Sequence, residues 1–193
     1  MAGKSTFLKT MGLMIYLAHI GFPVPAKKVK TSVFDGLFTT INLADNLNLG
    51  YSHFYSEVQR VKEIVVKVNT ARKLFVIFDE LFRGTNVKDA YDASLMIITA
   101  LAKIRNNFFF ISTHILEVAE NLENKDSIQF KCFESELVDQ TPVYDFKLKN
   151  GVSKERIGLT IIKRENIMQI LEQIIEKQNT NNRQLPGDSA TSN

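Results

Sequence analysis

Three short constellations in this 193-residue chain hold side chains whose types and spacing suit phosphate chemistry. The first is Met1-Ala2-Gly3-Lys4-Ser5-Thr6. A phosphate-binding loop needs Gly-x-x-x-x-Gly-Lys-Ser/Thr between a strand and a helix. Its backbone N–H groups face phosphate, its lysine bridges the outer phosphates and its hydroxyl ligates Mg²⁺. Gly3, Lys4 and Ser5 fit the second half of that pattern, and the first glycine would fall before Met1. Alone, so short a match arises often by chance.

The second constellation strengthens the first. Leu74-Phe75-Val76-Ile77-Phe78 is an apolar run tipped by Asp79-Glu80. A buried strand ending in two acids suits a Walker B site: the strand carries Asp79 to a bound Mg²⁺, and Glu80 beside it can polarise a water for attack on the γ-phosphate. The plainer alternative is a core strand ending in solvated acids. The third constellation is Ser112-Thr113-His114, at the end of the next apolar run. In a doubly wound sheet, ligands bind at the carboxyl ends of the strands. Asp79, Glu80 and His114 should therefore converge on one edge with Lys4, where His114 could contact the γ-phosphate or orient the attacking water.

The elements that must position these groups follow from periodicity. Residues 4–20 read as a helix, with Phe7, Leu8, Met11, Met14, Ile15 and Ala18 at helical spacing and Gly21 and Pro23 ending it. Residues 31–41 read as a strand and loop. Residues 52–71 read as a helix with Ser52 as N-cap and Val58, Val61, Ile64, Val65 and Val68 as its apolar stripe. The runs at 74–78 and 107–113 have the form of buried parallel strands, separated by a helix over 87–105 and followed by a short one over 115–122. Residues 127–133 and 142–149 read as more exposed, antiparallel strands, and 164–177 as a last helix. The polar stretch 178–193 has the composition of a disordered tail. The expected fold class is α/β, a mainly parallel central sheet flanked by helices with added antiparallel strands near the C-terminus.

Bulk composition excludes several classes. A formal net charge of +3 does not argue for nucleic-acid binding by charge alone. The basic residues Arg60, Lys62, Lys67, Arg72 and Lys73 suit a solvated helix face better than a DNA site. The single Cys132 rules out an internal disulfide and suits a reducing cytoplasm. No apolar run approaches the roughly 18 residues that span a membrane. His19 and His53 lack any comparable constellation, and His19 reads as structural.

Taken together and in this order, the pieces resemble the ATPase domain of the MutS family, a P-loop domain related to ABC-type ATPases. That family's loop reads Gly-Pro-Asn-Met-Ala-Gly-Lys-Ser-Thr-Phe, and residues 1–7 supply its second part. Gly-Phe-Pro-Val-Pro-Ala stands at 21–26, and Asp-Glu-x-x-Arg-Gly-Thr at 79–85 with Asp89 following. Ser112-Thr113-His114 matches the switch histidine. The resemblance is specific over roughly residues 1–120 and looser through Tyr144 to Gly151. The family signature Ser-Thr-Phe-x-x-Glu-Met corresponds to Ser52-His53-Phe54-Tyr55-Ser56-Glu57-Val58, where His53 and Val58 depart. Thr40 stands where mismatch-repair members usually carry Arg, while Asp45 is retained. These departures suit a divergent branch of the family.

The resemblance implies ATP and Mg²⁺ as cofactors. Ala2, Gly3, Lys4, Ser5 and Thr6 would hold phosphate, Ser5 and Asp79 the metal, and Glu80 and His114 would be catalytic. Ser52 would reach across a homodimer to the partner's nucleotide. Residues 1–163 would form the ATPase domain, without its first strand, in a cytoplasmic protein that reaches DNA through domains upstream of this chain. Met1 coincides with an internal Met of the family's loop, so a start inside a longer gene is expected. A non-catalytic dimerisation or scaffold module, with nucleotide binding lost through the partial loop, is the competing reading. Another ABC-like ATPase fits less well, because residues 52–58 lack a Leu-Ser-Gly-Gly type of signature.

Overall fold

A computed structural model describes residues 3–41, 53–123, 125–138, 141–153 and 157–183. Helix α1 (Lys4–His19) is followed by β1 (Gly36–Thr39), α2 (His53–Thr70), β2 (Leu74–Asp79), α3 (Val87–Leu101), β3 (Phe108–Ser112) and α4 (Leu116–Leu122). Then come β4 (Lys131–Val138), β5 (Thr141–Asn150), α5 (Ile157–Arg164) and α6 (Ile167–Arg183). The first three strands form a parallel sheet in the order β1-β2-β3, with Thr39 opposite Ile77 and Asp79 opposite Ser112. The mixed α/β class expected from the alternation of patterns is present.

The central strand explains the layering. Successive side chains of a strand point to opposite faces, and β2 is apolar at every position from Leu74 to Phe78. Phe75 and Ile77 join Leu8 and Ile15 of α1 and Phe34 in one cluster. Leu74, Val76 and Phe78 join Val61 and Ile64 of α2, Ala90, Ile98 and Leu101 of α3, and Ile115, Val118 and Leu122 in the other. Each fully buried side chain of this kind contributes roughly 1.5–3 kcal/mol. A strand covered by helices on both faces needs no polar alternation, which is why the run reads as uninterrupted.

Polar side chains tie the amino ends of the strands. Asp35 accepts the amides of Arg72 and Lys73 through one carboxylate oxygen, at 2.8 Å each. Asn107 accepts that of Leu74 at 2.7 Å. His19 does the same for Phe34: its Nε2 accepts the Phe34 amide at 2.9 Å, so Nδ1 carries the proton shared with the Ile15 carbonyl at 2.7 Å. Its structural reading from sequence is thereby matched. Cys132 is buried.

Several boundaries differ from expectation. The strand expected over 127–133 begins at Lys131, because Ile128 closes a turn onto the Lys125 carbonyl at 2.9 Å. The helix expected over 164–177 corresponds to α6, which starts at Ile167, and an unexpected helix, α5, precedes it; the two are separated at Glu165-Asn166, where Asn166 has a φ of 53°. Helix α6 also runs on to Arg183, past the point where composition suggests a disordered tail. Strands β4 and β5 form a two-stranded sheet whose connection of two residues permits only antiparallel pairing.

The chain divides into two compact units, one of residues 1–134 with 146–153, the other of 135–145 with 154–193. In the first, Phe133 of β4 meets Phe7 of α1 edge-on at 5.9 Å between ring centroids. In the second, α6 leaves Ile167, Ile170, Leu171, Ile174 and Ile175 exposed at helical spacing. Among the described residues, no helix is long and apolar enough to cross a membrane.

Helix α1 lies close to β2 because Gly12 faces it. A Cβ at this position would stand 3.0 Å from Cδ1 of Ile77. Gly12→Val should therefore lower stability by about 1–3 kcal/mol through overpacking, read as a lower denaturant midpoint. Leu13→Ala, on the exposed face of the same helix, should move it far less.

Candidate functional site

Helix α1 begins on Gly3, whose φ of 92° and ψ of 3° place it in the left-handed region, and Phe7 N–H closes the first turn onto the Gly3 carbonyl at 2.9 Å. Glycine enters that region at little cost, whereas a side chain there is strained. The leading amides of such a helix have no intrahelical acceptor, so Gly3, Lys4, Ser5 and Thr6 present N–H groups at the positive end of the helix dipole. Lys4 and Ser5 are half-buried and Thr6 is exposed. Ala2 and Ser52, together with Asp45, lie outside the described residues.

The Lys4 ammonium donates to the Thr113 carbonyl at 3.4 Å, which brings the start of α1 to the carboxyl end of β3. One residue earlier, the Ser112 hydroxyl donates to Oδ1 of Asp79 at 2.6 Å and accepts the Glu80 amide at 3.0 Å. Lys4 thus meets Thr113, and the adjacent Ser112 meets Asp79 and Glu80, along one edge of the sheet. His114 follows on the same edge and is exposed.

Beyond Asp79 the chain leaves the sheet abruptly. Glu80 and Phe82 have φ values of 55° and 60°, and Glu57 of α2 accepts the Gly84 amide through Oε2 at 3.2 Å. The Glu80 carboxylate lies 3.4 Å from the Arg83 guanidinium, whose side chain is 71% exposed. So exposed a pair orients the carboxylate more than it stabilises the fold. A small cleft here is lined by Thr40, Glu57, Asp79 and Glu80 among others.

Three residues hold parts that sequence reasoning did not give them. Thr40, seen there only as a departure from Arg, is buried and accepts the Asp79 amide through its hydroxyl at 3.3 Å. Ser112, seen only as part of the run before His114, donates to the Asp79 carboxylate and accepts the Glu80 backbone amide. Glu57, seen only as a matching signature position, is buried and holds the turn after them. Asp89 accepts from Asn86 Nδ2 at 2.6 Å and gives its amide to Asn86 Oδ1 at 3.0 Å, so it closes the first turn of α3.

The model of MutS domain V matches residues 1–186. This chain belongs to the MutS family. Among curated MutS relatives, the DNA mismatch repair protein MutS of Anaplasma phagocytophilum is 32% identical over 161 residues, 83% of this chain and 19% of that protein. The MutS of Thermotoga petrophila is 30% identical over 193 residues, 98% of this chain and 24% of its own length. That of Aquifex pyrophilus is 30% identical over 163 residues, 84% of this chain and 19% of the protein. This chain therefore spans about a fifth to a quarter of the length of the MutS proteins it matches.

Removing the Glu57 carboxylate leaves the Gly84 amide without that acceptor. Glu57→Ala should cost about 1–3 kcal/mol, and Glu57→Gln, which keeps a carbonyl oxygen in place, should cost less. Equal denaturant midpoints for the alanine variant and the parent would show that this contact holds nothing.

Proposed function

We propose that this chain is an ATP-binding and hydrolysing region of P-loop, ABC-like type, serving a MutS-type mismatch-repair or DNA-processing protein. The supporting observation is the continuous set of contacts from Lys4 through Thr113 and Ser112 to Asp79 and Glu80. It gathers a cation, a helix N-terminus, a hydroxyl and two carboxylates at the strand ends. The donor set fits the cofactors. Ser5 and Asp79 offer hard oxygen ligands of the kind Mg²⁺ takes, and Lys4 with the amides of residues 2–6 suits phosphate.

In this reading Lys4 neutralises the outer phosphates and Ser5 and Asp79 hold Mg²⁺. When bound, the metal supplies charge neutralisation for phosphoryl transfer. Glu80, oriented by Arg83, accepts a proton from the attacking water, and His114 contacts the γ-phosphate. Ser52 completes the partner's site across a homodimer, so that ATP binding and hydrolysis change the shape of the pair. DNA contact belongs to regions of such proteins outside the matched portion.

Two measurements test the proposal. Calorimetric titration of the chain with ATP and Mg²⁺ should give saturable, micromolar binding, lost in Lys4→Ala; no binding by the parent chain would favour the scaffold reading. Glu80→Gln should bind nucleotide as the parent does while hydrolysis falls about 10²–10⁴-fold, the usual contribution of a general base. Undiminished turnover in that variant would overturn the assignment of Glu80.

A further inference from the structure

The parallel ladder ends where the chemistry begins. The Thr40 amide makes its last bond on one side, to the Ile77 carbonyl at 2.9 Å. Beyond it the β2 backbone is held by side chains from both neighbours. From the β1 side, Thr40 Oγ1 accepts the Asp79 amide. From the β3 side, Ser112 Oγ accepts the Glu80 amide and gives its proton to Asp79 Oδ1. Both hydroxyl residues are 8% exposed.

A serine hydroxyl has one proton and two lone pairs. With an amide N–H aimed at its oxygen, its own proton must go to the other partner, the Asp79 carboxylate. The rotor is thereby fixed, and the side chain of Asp79 is tied to the backbone of Glu80 through a single oxygen. The left-handed Glu80 turns the chain out of the sheet, and Ser112 supplies the acceptor for its amide there.

We propose that Ser112 and Thr40 are positioning residues that clamp the Asp79–Glu80 pair from opposite strands, with Ser112 holding the Asp79 carboxylate in the orientation in which it would take a magnesium ion. The serine proton on Oδ1 fixes the rotation of the Asp79 carboxylate at the strand end. The magnesium part of the inference rests on the ATP reading; the clamp itself does not. Thr40 meets the Asp79 amide through its hydroxyl, so β1 holds the backbone of this acid with a short neutral group.

The test separates the two levels. In the metal-free chain, hydrogen exchange read by NMR should show the Glu80 amide exchanging about tenfold faster in Ser112→Ala, the loss of one ordinary hydrogen bond. Thr40→Val should do the same to the Asp79 amide and leave Glu80 unchanged. Exchange at Val76 to Phe78 checks that the core is intact. Ser112→Thr and Thr40→Ser, which keep the hydroxyls, should restore protection. Calorimetry with ATP at graded Mg²⁺ should then show that Ser112→Ala needs about tenfold more metal for half-maximal binding, while metal-free ATP affinity is unmoved. Unchanged exchange in both hydroxyl-less variants would overturn the clamp. Accelerated exchange with an unmoved magnesium requirement would reduce Ser112 to a structural residue and overturn its positioning role. If the parent chain shows no magnesium-dependent ATP binding, the ATP reading falls, and amide exchange alone decides whether the clamp stands.

Discussion

A strand paired on both edges and buried on both faces has only its ends left for chemistry. That constraint governs β2. Its side chains from Leu74 to Phe78 are committed to the two cores, and its backbone is committed to β1 and β3. The first position at which a charged group can stand without costly desolvation is Asp79, where the strand emerges. Everything polar in the candidate site is arranged around that exit. Ser112 reaches it from the end of β3, Thr40 from the end of β1, and Glu57 from α2 by way of the following turn, while Lys4 at the start of α1 meets the Thr113 carbonyl next to Ser112.

The helices serve the same end. Helix α1 packs on the Phe75 and Ile77 face, and Gly12 allows it to come close, which sets where its first turn falls relative to the strand ends. Helix α2 packs on the opposite face, and its Glu57 reaches the Gly84 amide. A contact made by α2 is thus one side chain away from the turn that carries Glu80. The region proposed to meet a partner subunit and the region proposed to activate water share a hydrogen bond.

How much of this the sequence disclosed depended on the range of the interaction concerned. The apolar run 74–78, the helix after it and the run ending at Ser112 are local patterns, and their element types were readable. So was the set of chemical groups at 3–5, 79–80 and 112–114, because each sits at an element boundary that its own neighbours define. The helix Ile157–Arg164 was missed: it is short, holds Gly158 and the β-branched Thr160, Ile161 and Ile162, and has weak local preference for a helix. The run of α6 to Arg183 was missed because Asn and Thr dominate its end. The parts played by Thr40, Glu57 and Ser112 depend on pairings 39, 27 and 33 residues apart in sequence. No periodicity reports such pairings. They appear only once the register of the sheet is known.

The left-handed conformation at Glu80 carries an implication of its own. An ordinary side chain in that region costs roughly 1 kcal/mol or more, and glycine or asparagine would relieve it. Phe82, two residues on, bears the same burden. A lineage released from any need for the carboxylate would gain stability by drifting to the smaller residues at position 80. With Phe82 in the same region, the turn that follows β2 holds two strained backbone positions within three residues, directly beside the strand end.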